Sequence, residues 1–157
     1  MIQSAIGVGK TTVDSDHVET PNWLKNAIKE EFGTTFDPCP LRAKFDGLSI
    51  NWQKSNFVNP PFSSKELWMM KAEKEMEKGN TTVMLMPFRL SNYFINRVIL
   101  NKNVRLRILK NRVKFVGYQR AFPCHVCLVI YPGCEEHKQS SSDNYEYFEL
   151  ECITNKT

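Results

Sequence analysis

The sequence is short of the features that would commit it to several common chemistries. Its 157 residues contain 7 glycines and 3 histidines. No Gly-rich phosphate or dinucleotide loop can be assembled from them. Gly7-Val8-Gly9-Lys10-Thr11 comes nearest, but a phosphate loop needs a glycine where Ser4 stands, and no strand precedes it. His17 and His125 have no partner arrangement for nucleophilic catalysis. No apolar run approaches the ~20 residues that span a bilayer. Met1 to Gly9 lacks both a basic start and a sustained hydrophobic stretch, so no secretory leader is expected. The 5 cysteines are odd in number, which predicts reduced thiols and a cytoplasmic setting rather than a disulfide framework. Cys124, Cys127, Cys134 and His137 invite a zinc reading. However, residues three apart on a strand point to opposite faces, and Leu128-Val129-Ile130 reads as strand, so no metal is expected.

What is present describes an ordinary globular chain, with 41% hydrophobic and 24% charged residues and a net charge of +4. One domain is expected over residues 17–157, after a flexible arm at 1–16 and with a serine-rich loop near 139–143. The charge is unevenly placed. The segment from Arg89 to Arg120 carries nine Lys/Arg and no Asp/Glu, whereas Glu135 to Glu151 is mostly acidic. A basic face able to meet phosphate follows from this.

Along the chain, Thr20 is placed to cap a helix that Pro21 opens. Trp23, Leu24, Ala27, Ile28 and Glu31-Phe32 carry its apolar stripe, and Gly33 stops it. Thr34-Thr35-Phe36 is β-prone and ends in Asp37-Pro38-Cys39-Pro40. Asp46 sits near the end of a short strand expected in Phe45-Asp46-Gly47-Leu48. Phe57-Val58 leads into Asn59-Pro60-Pro61-Phe62, a turn stiffened because each proline fixes its own φ and restricts the residue before it. A helix follows over Lys65 to Lys78, with Leu67, Trp68, Ala72 and Met76 inward. The apolar run Thr82 to Met86 reads as a buried strand, and Ser91 to Leu100 as a helix packing through Tyr93, Phe94, Val98 and Ile99. Alternation through Val104, Leu106 and Ile108, continued at Val113 and Phe115, predicts a hairpin with Arg105 and Arg107 on its exposed side. Cys124 to Tyr131 is another buried strand, and Phe148 to Cys152 an edge strand. Together these predict an α/β fold with a mostly parallel sheet and an antiparallel C-terminal hairpin or edge.

The Asn59-Pro60 pair has a specific chemical use. An amide oxygen beside a free backbone carbonyl presents two acceptors, and a planar exocyclic amine has two N–H donors. Gripping both would draw the lone pair out of conjugation and aim it, while Phe62 offers a stacking face. Any planar amine or amide would suit these acceptors.

The ordered set Glu19-Thr20-Pro21-Asn22-Trp23-Leu24, Phe36-Asp37-Pro38-Cys39, Asp46-Gly47-Leu48 and Asn59-Pro60-Pro61-Phe62 resembles the small phage-type DNA N6-adenine methyltransferases, over about Val18 to Tyr131. The resemblance implies a reduced Rossmann-like fold that uses S-adenosylmethionine to methylate adenine N6 in DNA, in a phage or another mobile element. By position it implies that Thr20, Pro21, Asp37, Pro38 and Cys39 line the amino-acid end of S-adenosylmethionine and Asp46 its adenosine side. Asn59, Pro60, Pro61 and Phe62 would hold the target base. With no separate recognition domain, DNA would be engaged through phosphate by Arg89, Arg105, Arg107, Lys110, Arg112 and Lys114. RNA or a protein amide as substrate, or a fold that binds DNA without turnover, are the alternatives.

Overall fold

Thr82 to Met86 lies in the most deeply covered part of the molecule, and the sheet is built outward from it. The computed structural model describes residues 16–133 and 145–150. The elements in order are α1 (Asn22–Phe32), β1 (Ser55–Val58), α2 (Lys65–Glu77), β2 (Thr81–Pro87), α3 (Asn92–Phe94, running on as a π-helical turn over Ile95–Ile99), β3 (Arg105–Leu109), β4 (Val126–Tyr131) and β5 (Tyr147–Leu150). A 3₁₀ turn at Phe62–Ser64 leads into α2. Every residue of β2 and of β4 is buried, as strands with cover on both faces must be.

The five-stranded sheet has the order β1-β2-β4-β3-β5. It is mostly antiparallel, which corrects the expected mostly parallel sheet. Only β1 and β2 pair in parallel, extended by a single parallel bridge from Phe36 to Asn56; the other pairings are antiparallel. The cause is insertion. β2 and β3 run in the same direction, as a strand–helix–strand connection requires, but β4 returns between them and converts one parallel contact into two antiparallel ones. The C-terminal ends of β1, β2 and β3 therefore share one edge of the sheet with the start of β4, where the Phe88 N–H donates to the His125 carbonyl.

α1 buries Leu24, Ala27, Ile28 and Phe32 and leaves Trp23 exposed, and Gly33 closes it in the left-handed region at φ 65°, donating to the Lys29 carbonyl. Pro21, not Thr20, occupies the N-cap, and no side chain caps the helix. On α2 the buried residues are Trp68, Met69, Ala72 and Glu75, and Leu67 faces solvent. Glu75 is tolerated there because Trp52 N–H, Asn80 and Lys78 all donate to it.

Two further expectations are corrected. The hairpin after β3 does not form: β3 pairs with β4 and β5, and residues 110–125 are irregular. Val113 and Phe115 are buried nonetheless. Their alternation comes from a loop that folds back on itself, with the Phe122 N–H bonded to the Val113 carbonyl at 2.7 Å and a turn at Gly117, φ 85°. The strand expected at Phe45 to Leu48 is instead a turn. The 1–15 part of the N-terminal arm, the serine-rich loop, Cys134, His137 and Cys152 lie outside the described residues. Among those described, no helix is long and apolar enough to cross a membrane, and no cluster of His, Cys, Asp or Glu is arranged to hold a metal ion.

Candidate active site

At the shared edge, β1 delivers Asn59 directly into the Pro60-Pro61 turn, with Pro61 in extended backbone at φ −56°, ψ 124°. The Asn59 Nδ2 donates to the Val18 carbonyl at 3.0 Å and to the Thr20 hydroxyl at 3.1 Å. An amide nitrogen has two N–H groups, so both are engaged by the segment that leads into α1. The Asn59 Oδ1 is buried and accepts no hydrogen bond among the described residues. Among the described residues the Pro60 carbonyl accepts none either, whereas the Pro61 carbonyl takes the Ser64 N–H at 3.1 Å. Two adjacent acceptors without donors are what buried polar groups ordinarily avoid.

These acceptors border a cleft of about 440 Å³ whose lining includes Thr20, Lys25, Asp37, Cys39, Asn59, Pro60 and Pro61. A second cleft of about 220 Å³ also borders Lys25, Asp37 and Phe57, and it extends to Thr34 and Lys29. Phe36 bridges to Asn56, so Asp37 emerges beside the end of β1. Its Oδ1 accepts from the Cys39 N–H at 2.8 Å, and its second oxygen makes no hydrogen bond among the described residues. Burial raises the Asp37 pKa, against the Cys39 N–H and the Lys25 ammonium, which favour the carboxylate. Burial, and then the Asp37 charge, push the Cys39 thiol up to about 12. Cys39 is thus held as a thiol and is a poor nucleophile.

The turn at Asp46 supports this site from outside it. The Asp46 carboxylate accepts from Leu48 N–H at 3.0 Å and Ser49 Oγ at 2.6 Å, is exposed, and does not line the main cleft. Gly47 is the structural residue: a Cβ there would lie 1.9 Å from the Pro38 carbonyl oxygen. Only glycine allows this turn to abut the 37–40 turn.

Phe62 lies under the turn and outside the cleft lining. It is 6% exposed, with its ring in edge contact with Phe115 at 6.4 Å and Phe122 at 5.7 Å. Pro21 and Pro38 are buried and likewise do not line the main cleft. The expected basic face divides. Arg107 is buried, contrary to its expected exposure, because α1 and β5 cover that face of β3. It meets Glu31 at 2.7 Å, Glu149 at 3.1 Å and the Tyr145 hydroxyl at 2.9 Å, with the Tyr147 ring 4.3 Å away. Arg105 pairs with Glu149 at 2.6 Å and Lys110 with Glu146 at 2.7 Å. Arg89, Arg112 and Lys114 are exposed and make no ion pair among the described residues.

A family model described as DNA N-6-adenine-methyltransferase (Dam) matches residues 9–125. The chain belongs to the Dam family. The match takes in both clefts and the Asn59 turn, and ends at the residue before β4. A search of curated proteins finds no match. Dam-family membership makes methyl transfer the reaction class and DNA the substrate class. Within this Dam-family chain, sequence reasoning missed Lys25, the Val18 carbonyl, Asp16 and Arg42. Lys25 lies on the polar side of α1, where nothing in the periodicity singles it out. Arg42, at the cleft with φ 58°, is the one non-glycine residue in the left-handed region among those described, a conformation that no residue-type pattern announces.

Proposed function

We propose that the protein transfers the methyl group of S-adenosylmethionine to the N6 amino group of adenine in DNA. The observation that carries this reading is the pair of acceptors, Asn59 Oδ1 and the Pro60 carbonyl, which meet no donor among the described residues and lie at the edge of the main cleft. An exocyclic amine bonded to both would have its N–H groups fixed and its lone pair turned out of the ring plane. Positioning of that kind is the main contribution a protein can make to a direct displacement.

The residues present also fit the donor. A cleft of about 440 Å³ lies in the range of small-molecule sites. Asp37 has a carboxylate oxygen available for an ammonium group, and the Lys25 ammonium beside it suits a carboxylate. S-adenosylmethionine, when bound, supplies an electrophilic methyl group on sulfur. The protein's part is to hold the amine in line with it and to exclude water. No enzyme nucleophile is called for, in keeping with the protonated Cys39 thiol. Phe62 props the turn in the conformation described, and reaches a base only by leaving Phe115 and Phe122. The exposed Arg89, Arg112 and Lys114, with Arg42 at the cleft, are our candidates for phosphate contact; Arg105 and Lys110 are already opposed by carboxylates.

The test is to incubate the protein with tritiated-methyl S-adenosylmethionine and unmethylated DNA, then digest to nucleosides. Label in N6-methyldeoxyadenosine is expected. Label in another nucleoside would overturn the base assignment. No label, beside an active control enzyme, would overturn the reading as a whole.

A further inference from the structure

The segment before α1 is fastened to the Asn59 turn at both of its ends. On one side the Val18 carbonyl and the Thr20 hydroxyl take the two Asn59 N–H groups. On the other, the Asp16 carboxylate accepts from the Ser63 N–H at 2.9 Å and the Ser63 hydroxyl at 2.7 Å. The loop that carries Arg112 and Lys114 adds a third fastening, from the Val116 N–H to the Glu19 carbonyl at 3.1 Å. The partners are 39 to 47 residues apart in sequence for the first two sets of bonds.

The consequence concerns the orientation of one amide. Asparagine oxygen and nitrogen are nearly isosteric, so the group can be turned over unless its neighbours discriminate. Here they do. A flipped amide would set Oδ1 against the Val18 carbonyl, which can only accept, and leave the N–H groups facing the cleft as donors. The Thr20 hydroxyl, able to accept or donate, takes the second N–H in the orientation that Val18 fixes and holds the amide there. An amine presented to that cleft would then meet donors instead of an acceptor. We propose that Thr20 is a positioning residue for Asn59. It acts through the Asn59 amide, together with the Val18 carbonyl, and the Asp16–Ser63 clasp keeps the segment in place. Thr20 is 3% exposed, so water is a poor substitute for its acceptor if that is lost. This rests on the proposed use of Asn59 Oδ1 as the amine acceptor.

Thr20→Val keeps the shape of the side chain and removes the acceptor; Thr20→Ser keeps the acceptor. The valine variant is expected to lose about 10- to 100-fold in kcat, as for a small misplacement of a reacting group, with the KM for S-adenosylmethionine unchanged. The serine variant should restore most of the rate. Asp16→Ala, on the surface, should lower kcat several-fold and serves as the test if the valine variant does not fold. A wild-type kcat in all three variants would overturn the proposal. So would a loss that appears only as a raised cofactor KM, since Thr20 would then be a cofactor contact. An arm independent of activity follows the Asn59 side-chain amide protons by NMR. In Thr20→Val one of them should exchange with solvent faster, while those of Asn56 do not change. If methyl transfer is absent from the parent protein but the Asn59 protons respond in this way, the functional reading fails and the positioning role stands. Unresponsive protons in a folded valine variant would overturn the role itself.

Discussion

Asn56 and Asn59 stand three residues apart on the same strand and its exit, and the protein treats them in opposite ways. Asn56 is fully buried and wholly partnered. Its Oδ1 accepts from Gln53 N–H at 2.9 Å, and its Nδ2 donates to the carbonyls of Gln53 at 2.7 Å and Thr81 at 3.0 Å. Asn59 has both N–H groups engaged, while its Oδ1 meets no donor among the described residues. A buried amide that serves the fold is satisfied on every side, because each missing partner costs desolvation energy. Asn59, fixed through its nitrogen and open at its oxygen, is the one we propose to meet the substrate amine. The comparison sets a structural asparagine apart from the one we propose to be functional, without reference to sequence relatives.

The sharpest way to break that comparison is to exchange the outcomes of the two alanine variants. Asn59→Ala removes an acceptor that is required only with substrate present. We expect kcat to fall by about 10²- to 10³-fold, the scale seen when one preorganised hydrogen-bonding group is deleted from an active site. Cofactor affinity, measured by calorimetry, should stay within about two-fold, on the premise that the amide meets the amine and not the donor. Parallel loss of both would place Asn59 among the cofactor's contacts.

Asn56→Ala should show the reverse pattern. It leaves the Thr81 carbonyl and the Gln53 backbone without their side-chain partner, and part of that deficit is buried. About 2 to 3 kcal/mol of stability should be lost, read from urea denaturation, while kcat per folded molecule is retained. A stable Asn56 variant with a lowered kcat would mean that the distinction between the two amides has been misdrawn.

How far such features are legible in the sequence depends on the range of the interaction. The Asn59-Pro60-Pro61 turn can be read because proline constrains its own backbone and its neighbour's, a property of adjacent residues. The stripe of α1 and the buried runs of β2 and β4 can be read because burial imprints a local period. The direction of β2 and β3 is legible too. That β4 lies between them is not, since periodicity reports which face is covered and never which strand lies alongside. Arg107 is misplaced by its pattern for the same reason: alternation puts it opposite Leu106 and Ile108, but only the fold brings Glu31 from α1 and Glu149 from β5 to meet it. Thr20 reads as a helix cap, the local role its type and place suggest, whereas its partner is an amide 39 residues away.

The same contrast of met and unmet groups extends to charge, with a smaller effect. Arg105 sits against Glu149 at 2.6 Å, whereas Arg112 and Lys114 make no ion pair among the described residues. A cation already facing a carboxylate must give up that partner to reach a phosphate, so its net gain on DNA is small. Joint replacement of Arg112 and Lys114 by Ala should weaken binding several-fold at every DNA sequence alike. It should also flatten the dependence of log affinity on log salt by about 2, roughly 0.9 for each phosphate no longer neutralised. Arg105→Ala should leave that slope unchanged. Fluorescence anisotropy on one duplex across a salt series reads all three proteins. A slope that drops for Arg105→Ala but not for the double variant would mean that Glu149 releases its partner on binding, and that an arginine paired in the free protein is the one that meets the DNA.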